Sequence, residues 1–184
     1  SLAEKEWLVN VRMHHVPGVY SNMRFWVHGH KGALRVYDVE DLDVGLRTSS
    51  FMSALMGPSI EENEDLSWMV AFGEVLPVIV AASAQGDLEQ MEESLRRLDP
   101  EEMLAELAAV VHIFWASLHQ GRLQHEKALK SLAAAEELRP GMPVTAYMTS
   151  VSLTSLELYE EALEQADQYE SQMGIDSDSD WLHA

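Results

Sequence analysis

Cysteine is absent from the 184-residue chain, which excludes disulfides, thiolate nucleophiles and cysteine-ligated zinc together. Basic residues are scarce. Twelve Lys and Arg stand against 31 Asp and Glu, a formal net charge of −19, and such a surface repels phosphate, so nucleic acid and anionic membrane are poor partners. Basic partners, or partners that present apolar helices, fit better. Long hydrophobic runs are missing too: the most apolar stretch, Met69 to Ala84, carries Glu74 and falls short of the roughly 18 residues of a membrane span. The opening residues SLAEKEWLVN are too charged for a signal peptide, so a cytoplasmic protein is expected. No Gly-rich phosphate loop, nucleophile elbow or dinucleotide fingerprint occurs, and Gly29 with Gly32 does not make one.

What is present is 47% apolar residue content, ordinary for a globular chain with a sizeable core. The front third, residues 1–56, is irregular. Leu2 to Val16 has Trp7, Leu8, Val11 and His15 at helical spacing, and Pro17 with Gly18 ends that element. Val19 to Leu46 divides in two ways. As helices, Tyr20 to Val27 and Ala33 to Leu42 flank a turn at His28 to Gly32. As strands, Met23 to Val27 and Leu34 to Val39 form a hairpin, favoured by their Val, Tyr and Trp content. The helical reading is preferred, with a short hairpin at 23–39 as the alternative. Arg47 to Met56 reads as a further helical piece with Phe51, Met52 and Leu55 on one face. GPSIEENED, within an acidic linker at 57–65, separates this segment from the remainder.

Residues 66–173 are strongly periodic. Leu66 to Ala84, Leu88 to Leu98, Pro100 to Gln120, Leu123 to Leu138, Val144 to Leu156 and Glu160 to Met173 read as six helices, and residues 174–184 as an acidic tail. Turn landmarks at Gly86, Gly121 and Glu157 lie 35 and then 36 residues apart. A helix pair recurring at that spacing is a solenoid signature, in which each pair hides its apolar stripe against the next. Val110, Ile113 and Phe114 are then core residues.

LELYEEALEQADQY, Leu156 to Tyr169, carries Tyr159 after the turn and Ala162 and Ala166 on the second helix, and it resembles the tetratricopeptide repeat family. HQGRLQHEKAL carries the turn glycine but places Ala128 two residues late, and AQGDLEQMEESL has Met91 where a small residue is usual. On the first helices the small position is filled by Ile79, Phe114 and Ser150, of which Ser150 alone fits. The resemblance implies an all-α fold, a right-handed α-α superhelix of about three helix pairs behind a mostly helical N-terminal segment. It also implies a concave surface lined by the first helices. The family's groove positions fall on Leu76, Val80, Ser83, Val111, Trp115, Leu118, His119, Tyr147, Val151 and Thr154.

That surface is apolar and aromatic and lacks the Lys and Arg with which some relatives clamp a peptide carboxylate. It suits an apolar peptide or an amphipathic helix, although Trp115 and Tyr147 equally suit packing against neighbouring helices. Similar bacterial repeat proteins serve as secretion chaperones and assembly adaptors. The expectation is a non-catalytic protein-protein interaction module without cofactor, for which homo-oligomers are conceivable.

The competing reading is an enzyme of the front third. His14, His15, His28 and His30 fall close together, and His28 with His30 could be metal ligands or acid-base groups. Zinc demands three or four ligands in defined geometry, and no matching carboxylate spacing stands out. His125-Glu126 lacks the second histidine of a metalloprotease helix. Asp176, Asp178 and Asp180 alternate like the start of a calcium loop whose glycine and distal glutamate are missing.

Overall fold

The computed structural model of the chain describes residues 5–16, 19–30, 33–42, 46–49, 52–53 and 67–173. Its front is a sheet, not a set of helices. Strands β1 (Lys5–Val16), β2 (Val19–His30) and β3 (Ala33–Asp41) form an antiparallel meander, to which the two-residue β4 (Leu46–Arg47) adds. The expectation of an all-α chain is therefore overturned: the architecture is mixed, a β-meander followed by helices. Of the helices expected over Leu2 to Val16, Tyr20 to Val27 and Ala33 to Leu42, the described residues 5–16, 20–27 and 33–41 are strands. The alternative hairpin at 23–39 was the better reading, and it is longer than that reading allowed.

Period-two alternation explains the outcome. Trp7, Val9 and Val11 alternate with Asn10, and Phe25 and Val27 with Arg24 and His28. Trp7 pairs with Val27 and Val27 with Val36, while Val9 pairs with Phe25 and Phe25 with Val39. Directly opposed residues share a face, so these side chains form one apolar face. Asn10, Arg24 and Glu40 are likewise in register and lie on the other. Tyr37 is the extra residue where the register shifts between Trp26 and Val27. Of the separate helix expected over Arg47 to Met56, Arg47 is a strand residue, Thr48, Ser49, Met52 and Ser53 are helical, and the other five residues, with Phe51 and Leu55, lie outside the described residues. The acidic linker and tail also lie outside them.

The helical part follows expectation in outline. Helices α1 (Ser67–Gln85) and α2 (Leu88–Leu95), α3 (Ala105–Gly121) and α4 (His125–Leu138), and α5 (Pro143–Ser155) and α6 (Tyr159–Met173) form three successive hairpins. Pro100 does not open α3. It begins a separate single turn of 3-10 helix, Pro100–Glu102, capped by Asp99.

The three hairpins turn on the same backbone device. Gly86, Leu123 and Glu157 each adopt a left-handed conformation, with φ of 68°, 57° and 61°. In each case the following residue donates to a carbonyl five residues earlier: Asp87 to Ala82, Gln124 to His119, Leu158 to Leu153. The left-handed residue itself donates to Ser83, Gln120 or Thr154. This is the Schellman closure, which satisfies carbonyls that the helix end leaves open.

The middle landmark is thus Leu123, not Gly121. Five residues after each left-handed residue comes a buried one: Met91, Ala128 and Ala162. Ala128 is in register after all. Gly121 serves a different purpose, since a Cβ there would stand 2.9 Å from Leu88 Cδ2. It lets the second hairpin press against the first.

Two cores result. Phe72, Val75 and Ile79 of α1, Met91 and Leu95 of α2, and Leu107, Val110, Val111, Phe114 and Leu118 of α3 make the first. Ala109, Ile113 and Ala116 of α3 meet Ala128 and Leu132 of α4 and Met142, Val144 and Met148 in the second. Helix α3 contributes to both cores, and its near-continuous apolar sequence reflects burial on both sides.

Candidate functional site

The first helices of the three hairpins position the expected groove residues, and the structure separates those residues into three groups. Val111 and Leu118 are fully buried in the first core and line no surface. The helical drift of 100° per residue places them beside Val110 and Phe114, toward α1 and α2, and not outward. Leu76 and Trp115 are half-buried and rest on that same core. Tyr147 is half-buried against the second core, its ring 5.5 Å from that of Tyr169. Val80, Ser83 and Thr154 are exposed, and Val151 and His119 are half-buried.

Trp115 and His119, one turn apart on α3, stack with ring centroids 5.8 Å apart. Burial pushes the His119 imidazole below its ordinary value. A hydrogen bond with Gln124 opposes this, while Lys127 and Arg122 nearby reinforce it. The imidazole is therefore neutral at neutral pH and extends the aromatic surface. One residue on, the Gln120 amide donates to the Met148 carbonyl at 2.7 Å and to the Ser152 hydroxyl at 2.8 Å, which fixes α3 against α5.

Helix α1 adds exposed apolar area beside these residues. Phe72, Val75, Ile79 and Ala82 point inward, and on the opposite side Val70, Gly73, Pro77, Val80, Ala81 and Ala84 are all exposed. Its one charged residue, Glu74, is exposed on that same side and pairs with Arg97, just past the end of α2, at 3.3 Å. Over Trp68–Gln85 this helix is long and apolar enough by composition to cross a membrane, contrary to the sequence expectation, but its inner side is built into the first core. The outward side of α1 is the signal that groove positions alone did not find.

The other end of the stack is polar. Glu160, Glu161, Glu164 and Asp167 of α6 are exposed, as the terminal helix of an array requires. The sheet joins the helices at this end. Asn10 Nδ2 donates to the Met173 carbonyl at 3.2 Å, Arg24 Nη2 to the Gln172 carbonyl at 2.8 Å, and Arg139 Nη2 to Glu40 Oε1 at 2.8 Å. Arg24 also reaches Asn10 Oδ1 at 3.1 Å and Glu40 at 3.5 Å, so the three in-register residues act as one row. On the same face Arg47 lies over the Trp26 ring, 4.0 Å from its centroid, and pairs with Asp38. Burial pushes the Asp38 carboxyl up, but bonds from Ser49, Arg47 and the Val39 amide outweigh it and hold the group below its usual value.

Of the four clustered histidines, His28 lies on β2 opposite Arg35, on the polar face, and the side chains of His14, His15 and His30 lie outside those described. Among the described residues no three His, Asp or Glu come together as metal ligands do. A cleft of about 250 Å³ opens between α4, α5 and α6 beside Leu132, Glu136 and Thr145. The Glu136 carboxylate there is already committed, accepting from Gly141 N and Thr145 Oγ1 at 2.7 Å each. No family model, curated protein or solved structure matches the chain.

Proposed function

We propose that this protein is a non-catalytic interaction module of adaptor or chaperone type, a cytoplasmic tetratricopeptide-like stack that takes up an amphipathic helix with an apolar stripe and basic flanks. The observation that carries the reading is α1: a 19-residue helix whose outward side exposes Val70, Pro77, Val80, Ala81 and Ala84 around a single charge, Glu74. Leu76, Val80 and Ser83 continue that side toward Trp115 and His119, so the docking area spans the first helices of two hairpins.

Charge selects the partner. Residues 50–184 hold 25 of the 31 acidic residues and six of the twelve basic ones, the whole net −19. An apolar stripe set in such a field favours a helix flanked by Lys and Arg and repels one flanked by Asp and Glu. Apolar contact along i, i+3, i+4 and i+7 supplies the affinity in this mode. Tyr147, Val151 and Thr154 extend the surface onto α5, where a longer peptide would run.

A fluorescent model helix of Leu and Lys, titrated with the full chain, tests the reading against a Leu and Glu helix of equal length. The Lys helix should bind, bind more weakly as salt rises, and lose at least tenfold in affinity with Val80→Glu, while the Glu helix stays free. Equal binding of both helices, or undiminished binding by Val80→Glu and Trp115→Ala, would refute it.

A further inference from the structure

The sheet is turned inside out. Its polar row, Asn10, Arg24 and Glu40, faces the helices and bonds to Met173, Gln172 and Arg139. Its apolar face points away. Trp7, Val9, Val11 and Val36 are exposed, by 42%, 41%, 37% and 56%, and Phe25 and Val27 of the central strand are half-open between them. Ordinary packing does the reverse, placing the apolar face of an antiparallel sheet inward. We infer that this face is the docking surface for a second copy of the chain, two sheets closing face to face into a sandwich.

Three observations select a second copy as the occupant. The first is charge: residues 1–49 carry six Lys and Arg and six Asp and Glu, so the sheet segment is neutral, while the helices over 67–173 carry 18 Asp and Glu against six Lys and Arg. Apposed sheets bring neutral surfaces together, whereas contact through the helices would set −12 against −12. The second is the makeup of the face. Its residues at 7, 9, 11, 23, 25, 27, 34, 36 and 39 are all apolar, with Asp41 at one corner and Lys5 at another, so two-fold pairing buries no charge at its centre.

The third is area. Three strands about 4.8 Å apart and some eight residues long at about 3.4 Å each give a footprint of roughly 400 Å² per copy. With side-chain relief, two copies bury on the order of 1,000 Å², the size at which specific interfaces begin. Sheets at about 10 Å separation, with strands inclined by about 30°, interdigitate such residues into one core. The inference rests on the sheet alone and is independent of what α1 binds.

Sedimentation equilibrium of the full chain, from low-micromolar to hundred-micromolar concentration, tests it. The mass should approach twice the 20.7 kDa of one chain. Val9→Glu and Val36→Glu should return the single-chain mass with unchanged far-ultraviolet dichroism, since both positions are open to solvent in the single chain. Leu8→Glu, on the same strand but the opposite face, should leave the doubled mass intact. If Val36→Glu fails to fold, Trp7→Glu replaces it. A single-chain mass throughout the range would overturn the inference. So would a doubled mass that persists in Val9→Glu and Val36→Glu, and loss of the doubled mass in Leu8→Glu would place the contact elsewhere on β1.

Discussion

Arg139, the residue that ends α4, donates to Glu40 of β3 at 2.8 Å across 99 positions of sequence. Glu40 also faces Arg24, which reaches the carbonyl end of α6. One carboxylate, 7% exposed, thus holds two guanidiniums, and one of these sits where the helix dipole favours a cation. This polar row ties the sheet to the helical stack through directional bonds.

Removing Glu40 leaves Arg24 and Arg139 facing each other unpaired. Glu40→Ala should weaken sheet docking by about 3 kcal/mol, the lower end for one partner lost from a buried pair, because both arginines keep some solvent. Hydrogen exchange should show β1 to β3 losing protection while the α3 amides keep theirs. Uniform loss across both parts would mean the sheet and the helices unfold as one unit.

Left-handed Leu123 and Glu157 are strained where glycine is not. The left-handed region costs an L-residue roughly 1 to 2 kcal/mol, and glycine returns about 0.5 to 1 of that through its freer unfolded chain. Leu123→Gly should therefore stabilise the fold by about 0.5 to 1 kcal/mol, since the Leu123 side chain is 79% exposed and gives up little. Gly86→Ala should cost about 1 kcal/mol or more at the equivalent place. Urea titration of the two variants checks both signs.

The helical half was legible in sequence because its apolar spacing repeats over more than a hundred residues and its turns recur. The error of two residues at the middle turn arose because Gly121 looks like a turn glycine and Leu123 does not; only the approach of Leu88 shows what Gly121 is for. The sheet was misread for a physical reason. Leu8 and Trp26 fall on its polar face, and those extra apolar residues filled in the period-two alternation until it matched a helical stripe as well. Val111 and Leu118 were assigned to the groove through a family pattern, and the stacking of α3 between two hairpins buried them. The inverted sheet has no local signature, since which face meets the helices is decided by Arg139, Gln172 and Met173, 99 to 163 positions away from their partners.

Phe114 lies in the first core with 7% of its surface exposed, between the first and second hairpins. Phe114→Ala removes a ring that α1 and α2 cannot easily collapse to fill, and it should cost about 3 to 5 kcal/mol in a urea titration. In a stack the loss is carried by one junction. Hydrogen exchange should accordingly rise in α1 and α2 more than in α6, and an even rise would show that the three hairpins unfold together.

Acid should destabilise the fold in two stages, and the histidines set the first. Burial depresses both His112 and His119 below 6.5, their ordinary value. The folded state therefore binds fewer protons than the unfolded chain in the window below 6.5, and stability rises with pH across it. What the neutral imidazoles contribute is complete above 6.5 and is lost as pH falls through their folded values. Asp38, held below 3.8, gives the second stage: its contribution is complete above that value and disappears only at lower pH. Easing of repulsion among the acidic groups acts in the opposite direction, so the total slope does not isolate the histidines. His112→Gln does, because it removes one imidazole and leaves every carboxylate in place. Between neutrality and about pH 5.5 the urea midpoint of His112→Gln should fall less than that of the natural chain; parallel falls would mean that His112 is protonated as readily in the fold as out of it.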